Sequence, residues 1–191
     1  MGSLISQARH NAAQPVALAA PPSRQFLSFA LGSETFAIPI ENIREIIEFS
    51  GLTEVPLMPG FLRGVINVRG AVVPVIDLAV RFGRGVTAVT RRTCIVILEV
   101  EQDDQLLALG IMVDTVNEVL AVEQEQMETR PSFGAKVHAE FIEGMIRQGE
   151  RFVIALNIQQ VLAAEELAAL GGVSEDAVPV TPAQAGTAPT L

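Results

Sequence analysis

Apolar and polar residues alternate with a period of two along most of the chain. In FLSFALGSETFAIPI the apolar positions are Leu27, Phe29 and Leu31, then Phe36, Ile38 and Ile40, with Gly32-Ser33 between the runs. Two alternating runs around a two-residue Gly-X turn predict a β-hairpin. GVINVRGAVVPVI repeats the pattern around Arg69-Gly70, and TCIVILEV, LLALGIMV, EGMIRQ and RFVIAL supply further strands. Pro74 stands inside one run, and its missing N–H predicts an edge strand or a bulge there. Helical spacing is confined to two places. Ile40, Ile43, Ile46 and Ile47 of IENIREII fall on one helical face. NIQQVLAAEELAAL carries the stripe Ile158, Val161, Leu162 and Leu167 behind a capping pair, Asn157 and Gln160, and predicts a C-terminal helix over 157–170.

Neither end shares this patterning. Residues 1–25, rich in Ala, Pro, Ser and Gln, and residues 171–191 read as disordered tails. A folded body of 26–170 remains between them.

The body contains an internal duplication. FAIPIENIREII (36–47) lies without gaps over LGIMVDTVNEVL (109–120), and FLRGVINVRGAVVPVIDL (61–78) over FIEGMIRQGERFVIALNI (141–158). Ile38/Ile111, Glu45/Glu118, Phe61/Phe141, Gly64/Gly144, Ile66/Ile146 and Val73/Val153 are identical, and Asp77 faces Asn157. Two matching blocks in the same order predict two similar small units in tandem. The expected fold is all-β, with a first barrel over about 26–85 and a second over about 92–156. Each has about five short strands, too few to bury much alone, so the two should pack together and leave an apolar groove between them.

Composition narrows the function. The chain has 191 residues and a net charge of −9, from 13 Lys plus Arg against 22 Asp plus Glu. That balance opposes a phosphate backbone, and with no Trp or Tyr there is little to stack bases on. Nucleic acid is therefore not an expected partner. Two His and one Cys match no metal-ligand spacing, and no phosphate loop or nucleophile elbow occurs. No catalytic residue, metal or cofactor is expected. Asp77, at a strand end before LAVRF, reads as a helix N-cap, and Glu118 as a solvated charge. Cys94, in an apolar run, reads as a small core residue and suits a reducing compartment. No run approaches the length needed to cross a bilayer, so no membrane insertion and a cytoplasmic location are expected.

The motifs FLSFALGSETFAIPIENIREII, VPLMPGFLRGVINVRGAVVPVIDLAVRFG, TRRTCIVILEV, LGIMVDTVNEVL and EFIEGMIRQGERFVIALNIQQVL resemble the CheW family of chemotaxis coupling proteins over nearly the whole body. The resemblance implies two five-stranded, Src-homology-3-like barrels around an apolar groove. It also implies a non-enzymatic adaptor that links chemoreceptor cytoplasmic tips to the regulatory domain of the histidine kinase CheA. Rings of coupling proteins, alone or with the kinase, would form at the inner face of the membrane. The family's groove positions fall here on Ile43, Gly64, Thr93, Cys94 and Val119. Its paired acid and arginine match Glu45 and Arg69, with Asn67 in the same turn. Stand-alone relatives also serve other chemosensory systems, such as pilus-based motility.

Overall fold

The computed structural model describes residues 23–102, 105–129 and 138–162. Their strands are β1 (Ser23–Leu31), β2 (Glu34–Pro39), β3 (Ile43–Glu48), β4 (Leu62–Val68), β5 (Ala71–Asp77), β6 (Cys94–Gln102), β7 (Gln105–Val113), β8 (Thr115–Glu123), β9 (Met127–Glu128), β10 (Ile142–Gln148) and β11 (Arg151–Leu156). Two four-residue helices, α1 (Leu78–Arg81) and α2 (Ile158–Val161), follow β5 and β11. The disordered-tail readings and the helix beyond residue 162 lie outside the described residues.

The strands build two sheets, a six-stranded one ordered β8-β1-β2-β11-β10-β9 and a five-stranded one ordered β3-β6-β7-β5-β4. An isolated bridge, Thr53 to Val65, gives the smaller sheet its counterpart of β9. Through it the chain leaving β3 at one edge crosses to β4 at the other. The duplication is real down to register. Ala155 pairs in parallel with Ala37, and the matching residues Val75 and Gly110 do the same.

Connectivity departs from the expected division at residues 85 and 92. Each sheet takes a hairpin from one half and the remaining strands from the other: β1-β2 join β8 to β11, and β6-β7 join β3 to β5. The two units are interleaved, because the parallel contacts of β2 with β11 and β5 with β7 form only across the halves.

The helix expected over IENIREII is also corrected. Only Ile40–Asn42 makes a single 3-10 turn, and Ile43–Glu48 is β3, paired with β6 from Ile43–Leu98 to Glu48–Cys94. The matching residues of the second half belong to β8. Ladder pairing with a strand remote in sequence overrides a local 3.6-residue spacing. Pro74 lies in an interior strand, not at an edge. Its partner across the β4–β5 ladder is Val65, whose own N–H and C=O bond to Thr53 instead, so no donor is missed at Pro74. A bulge does occur nearby, in β4 between Leu62 and Gly64.

Three apolar clusters hold the molecule. Phe26, Ala37, Leu120, Val122, Ile146, Val153 and Ala155 fill the six-stranded unit. Val73, Val75, Ile95, Ile97 and Met112 fill the other. The largest cluster includes Phe29, Phe36, Ile38, Leu62, Leu78, Leu98, Ile111, Phe141 and Leu156, and so draws on both sheets and both helices. The surface between the units is thus largely packed. At the junction there remains a cavity of about 400 Å³ with a mixed lining that includes Leu31, Ala79, Arg84, Thr87 and Asp114.

Asp77 caps α1 as expected, accepting from the N–H groups of Ala79 and Val80. It is fully buried and also accepts from the N–H and hydroxyl of Thr87, so it fastens the segment leading into the second half. Asn157 makes the simpler cap, accepting from the Gln160 N–H.

Candidate partner-binding face

The hairpin β4–β5 turns at Arg69-Gly70, where φ is 53° and 91°. Positive φ at both central residues suits the right-handed strand twist of a two-residue hairpin. Asn67 Oδ1 accepts the Gly70 N–H at 2.8 Å and fixes the turn. An arginine in this left-handed region costs about 1–2 kcal/mol relative to ordinary backbone. The matching turn of the second half has Gly149 there, with φ of 63°. The fold does not require a side chain at this position.

Arg69 Nη2 donates to Glu45 Oε2 at 3.1 Å, bringing the β4–β5 turn to β3. The contact is a single hydrogen bond, not a two-pronged clasp. Arg44 approaches the same carboxylate at 4.0 Å and Glu99 at 3.5 Å. Arg69 is 75% exposed and Glu45 21%. A pair that open to water contributes about 0–1 kcal/mol, too little to offset the backbone cost. In the second half Glu118 meets the neutral Gln148, whose Nε2 donates at 3.3 Å. Ile46 and Val72, on the strands that carry the pair, are exposed apolar residues. The helical reading placed Ile46 on a packed face, and nothing local distinguishes Val72 from its buried neighbour Val73.

The other expected site residues divide into two places. Ile43 is half-buried at the start of β3 and packs against the shared core. Gly64 has φ of 143° in the β4 bulge, where a Cβ would collide with the Thr53 carbonyl oxygen. Its counterpart Gly144 meets Met127 and Glu128 the same way, so both glycines let the crossing segment close on the sheet. Thr93 is buried, and its hydroxyl accepts the Thr90 N–H at 2.8 Å, which withdraws it from any surface. Cys94 is half-buried with Sγ 3.2 Å from the Arg92 carbonyl. Val119, 54% exposed, lies on β8 in the other sheet. It matches Ile46 in the duplication, and both are exposed. Among the described residues no group of His, Cys, Asp or Glu could hold a metal ion. Nor, among them, is any helix long and apolar enough to cross a membrane.

The CheW-like domain pattern matches residues 25–166, nearly the whole described body. This chain belongs to the CheW-like family. It is 34% identical over 152 residues to the chemotaxis protein CheW of Klebsiella aerogenes, covering 80% of this chain and 89% of that one. The CheW of Treponema pallidum is 33% identical over 147 residues, 75% and 84% of the two chains. The crystal structure of the scaffolding protein TtCheW from Thermoanaerobacter tengcongensis superposes with a TM-score of 0.67 at 27% identity, over 76% of this chain and 96% of that one. A shorter match, 35% over 78 residues, is to the protein FrzA of Myxococcus xanthus, 41% and 49% of the two chains. A CheW-like scaffold of chemotaxis is therefore the class to which the site must be fitted, and its all-β pair of Src-homology-3-like units is the fold described above.

Proposed function

We propose that this chain is a non-enzymatic adaptor that joins chemoreceptor cytoplasmic tips to the regulatory domain of the histidine kinase CheA, in arrays at the inner face of the cell membrane. One observation carries the reading: Arg69 occupies a strained, exposed turn position that its sibling turn leaves to glycine. Strain maintained without a folding need points to what the side chain presents outward. On this reading the binding face is built on Glu45, Arg69 and Ile43, with Asn67 shaping the turn, Gly64 admitting the crossing segment, and Thr93 and Cys94 supporting β6 from within. Val119 belongs to a second face on the other unit. No cofactor takes part.

Calorimetry with the kinase regulatory domain and with a receptor tip tests this. The intact chain should bind the kinase domain with micromolar Kd or better, about −8 kcal/mol. Arg69→Ala should weaken receptor or kinase binding at least tenfold, about 1.4 kcal/mol, without lowering the melting temperature. Glu45→Ala should reproduce the loss, and the double variant should be no worse than either, since coupled residues are non-additive. Unchanged binding by Arg69→Ala removes it from the face.

The partial match to a relative that bears a different name, FrzA, favours a second reading, a scaffold of another chemosensory pathway such as pilus-based motility. Which receptor tip the chain captures separates the two.

A further inference from the structure

Between α1 and β6 the chain passes from one half to the other, and residues 85–90 of that strap belong to no helix or strand. Side chains spaced three residues apart hold it instead. Arg84 pairs with Glu34, and Thr87 bonds to buried Asp77. Thr90 closes a turn with Thr93 and accepts the Arg92 N–H at 3.2 Å. What the strap turns outward is Val86, Val89, Arg91 and Arg92, all exposed. Among the described residues, Arg91 and Arg92 belong to no ion pair. Arg92 also lines the junction cavity, whose one carboxylate, Asp114, is engaged by the Gly32 N–H. On a chain of net charge −9, this is a cationic surface without its counterpart.

The end of the chain carries the opposite charge. Residues 163–191 hold Glu165, Glu166, Glu175 and Asp176, and no Lys or Arg. Glu175-Asp176 stand within Val173-Ser174-Glu175-Asp176-Ala177-Val178, an acidic pair with a valine two residues to either side. The strap offers the complement, an arginine pair with valines two and five residues before it. The CheW-like pattern ends at residue 166, so the acidic motif lies outside the family domain. Position brings the two together. The Arg81 Nε–H donates to the Val161 carbonyl at 3.2 Å, so the chain leaves α2 beside α1, the helix from which the strap departs. The thirteen residues from Leu162 to Glu175 reach roughly 45 Å when extended, enough to cross a domain of this size.

We propose that residues 173–178 dock on the strap of their own chain, with Glu175 and Asp176 against Arg91 and Arg92 and the flanking valines against Val86 and Val89. Exposed ion pairs are individually weak. A tether of this length raises the effective concentration to the millimolar range, so a weak contact becomes well populated. The docked segment latches the end of the chain across the junction of the two units. It touches neither Glu45 nor Arg69 and needs no second protein, so it stands or falls apart from the adaptor reading.

Paramagnetic broadening in the full chain tests it, with a nitroxide on Ala177→Cys in a Cys94→Ser background. At low salt the amide signals of Val86, Val89 and Arg91 should weaken at least twofold, and 1 M salt should restore them by screening the charges. Arg91→Glu with Arg92→Glu should abolish the broadening at low salt. Adding Glu175→Arg and Asp176→Arg to that chain should bring it back, because the charges are exchanged and not removed. Strap signals that never weaken in the full chain, or a charge exchange that fails to restore the effect, overturn the proposal. Spin-labelled chain mixed with isotope-labelled, unmodified chain should leave the strap signals of the latter unchanged. Broadening in that mixture assigns the strap to the tail of a second copy and overturns the proposal equally.

Discussion

The six-stranded and five-stranded units are built from matching blocks, yet three matched positions differ in ways that matter: Arg69 against Gly149, Asp77 against Asn157, and Phe49 against Val122; Glu45 and Glu118 also have different partners, Arg69 and Gln148. What the units share describes the requirements of the fold: the glycine bulges, the helix caps, the parallel contact at Ala37–Ala155 and Val75–Gly110. What they do not share is not demanded by the common architecture, although Asp77 shows that such a residue can still serve its own half. A duplicated protein thereby supplies its own control, one half testing whether a residue in the other is structural.

The largest expected effect tests a shared feature. Gly64→Ala should cost about 3 kcal/mol in chemical denaturation, since the new methyl meets a backbone oxygen in a positive-φ bulge. Gly144→Ala should cost less, about 2 kcal/mol, because its backbone is not in the left-handed region and its backbone obstacle, the Glu128 carbonyl oxygen at 2.9 Å, lies farther off than that at Gly64, while its closest contact, at 2.6 Å, is the flexible Met127 thioether. Equal losses would show that the two bulges tolerate a side chain alike and that the geometric difference carries no weight.

Caps come next. Asp77→Ala strands the buried Thr87 N–H and the partly buried N–H groups of Ala79 and Val80, and should cost about 2–4 kcal/mol. Asn157→Ala removes one exposed cap and should cost about 1 kcal/mol. If the two losses match, the Thr87 contacts add nothing and Asp77 is only a cap.

The smallest effect is the sharpest for function. Arg69→Gly copies the sibling turn and should stabilise the fold by about 0.5–1 kcal/mol, read as a raised denaturation midpoint, while weakening partner binding. A stability loss instead would mean that the contact with Glu45 outweighs the backbone strain.

Much of this was legible in the residues. Period two found the strands because one face of each is packed and the other is wet, and the duplication emerged because that packing is repeated. The pairing of Glu45 with Arg69 followed from resemblance and is present as a single hydrogen bond. IENIREII misled because Ile46, read as packed, is exposed, while the bulge between Ile43 and Glu45 shifts the alternation. Thr93 was assigned to a groove, but only the structure shows its hydroxyl turned inward to Thr90. The exchange of hairpins was invisible, since patterning fixes which face of a strand is buried and not which distant strand lies beside it.

That exchange bears on how the molecule folds. Phe26 must find Leu120, and Phe36 must find Ile154, before either sheet has its interior. Contacts so distant along the chain slow the search for the native state, and neither half can finish without the other. A chain cut between residues 85 and 92 yields two fragments that each hold parts of both sheets. Each half thus carries a hairpin that it lends and the strands that receive the other's, so neither sheet is complete within one half.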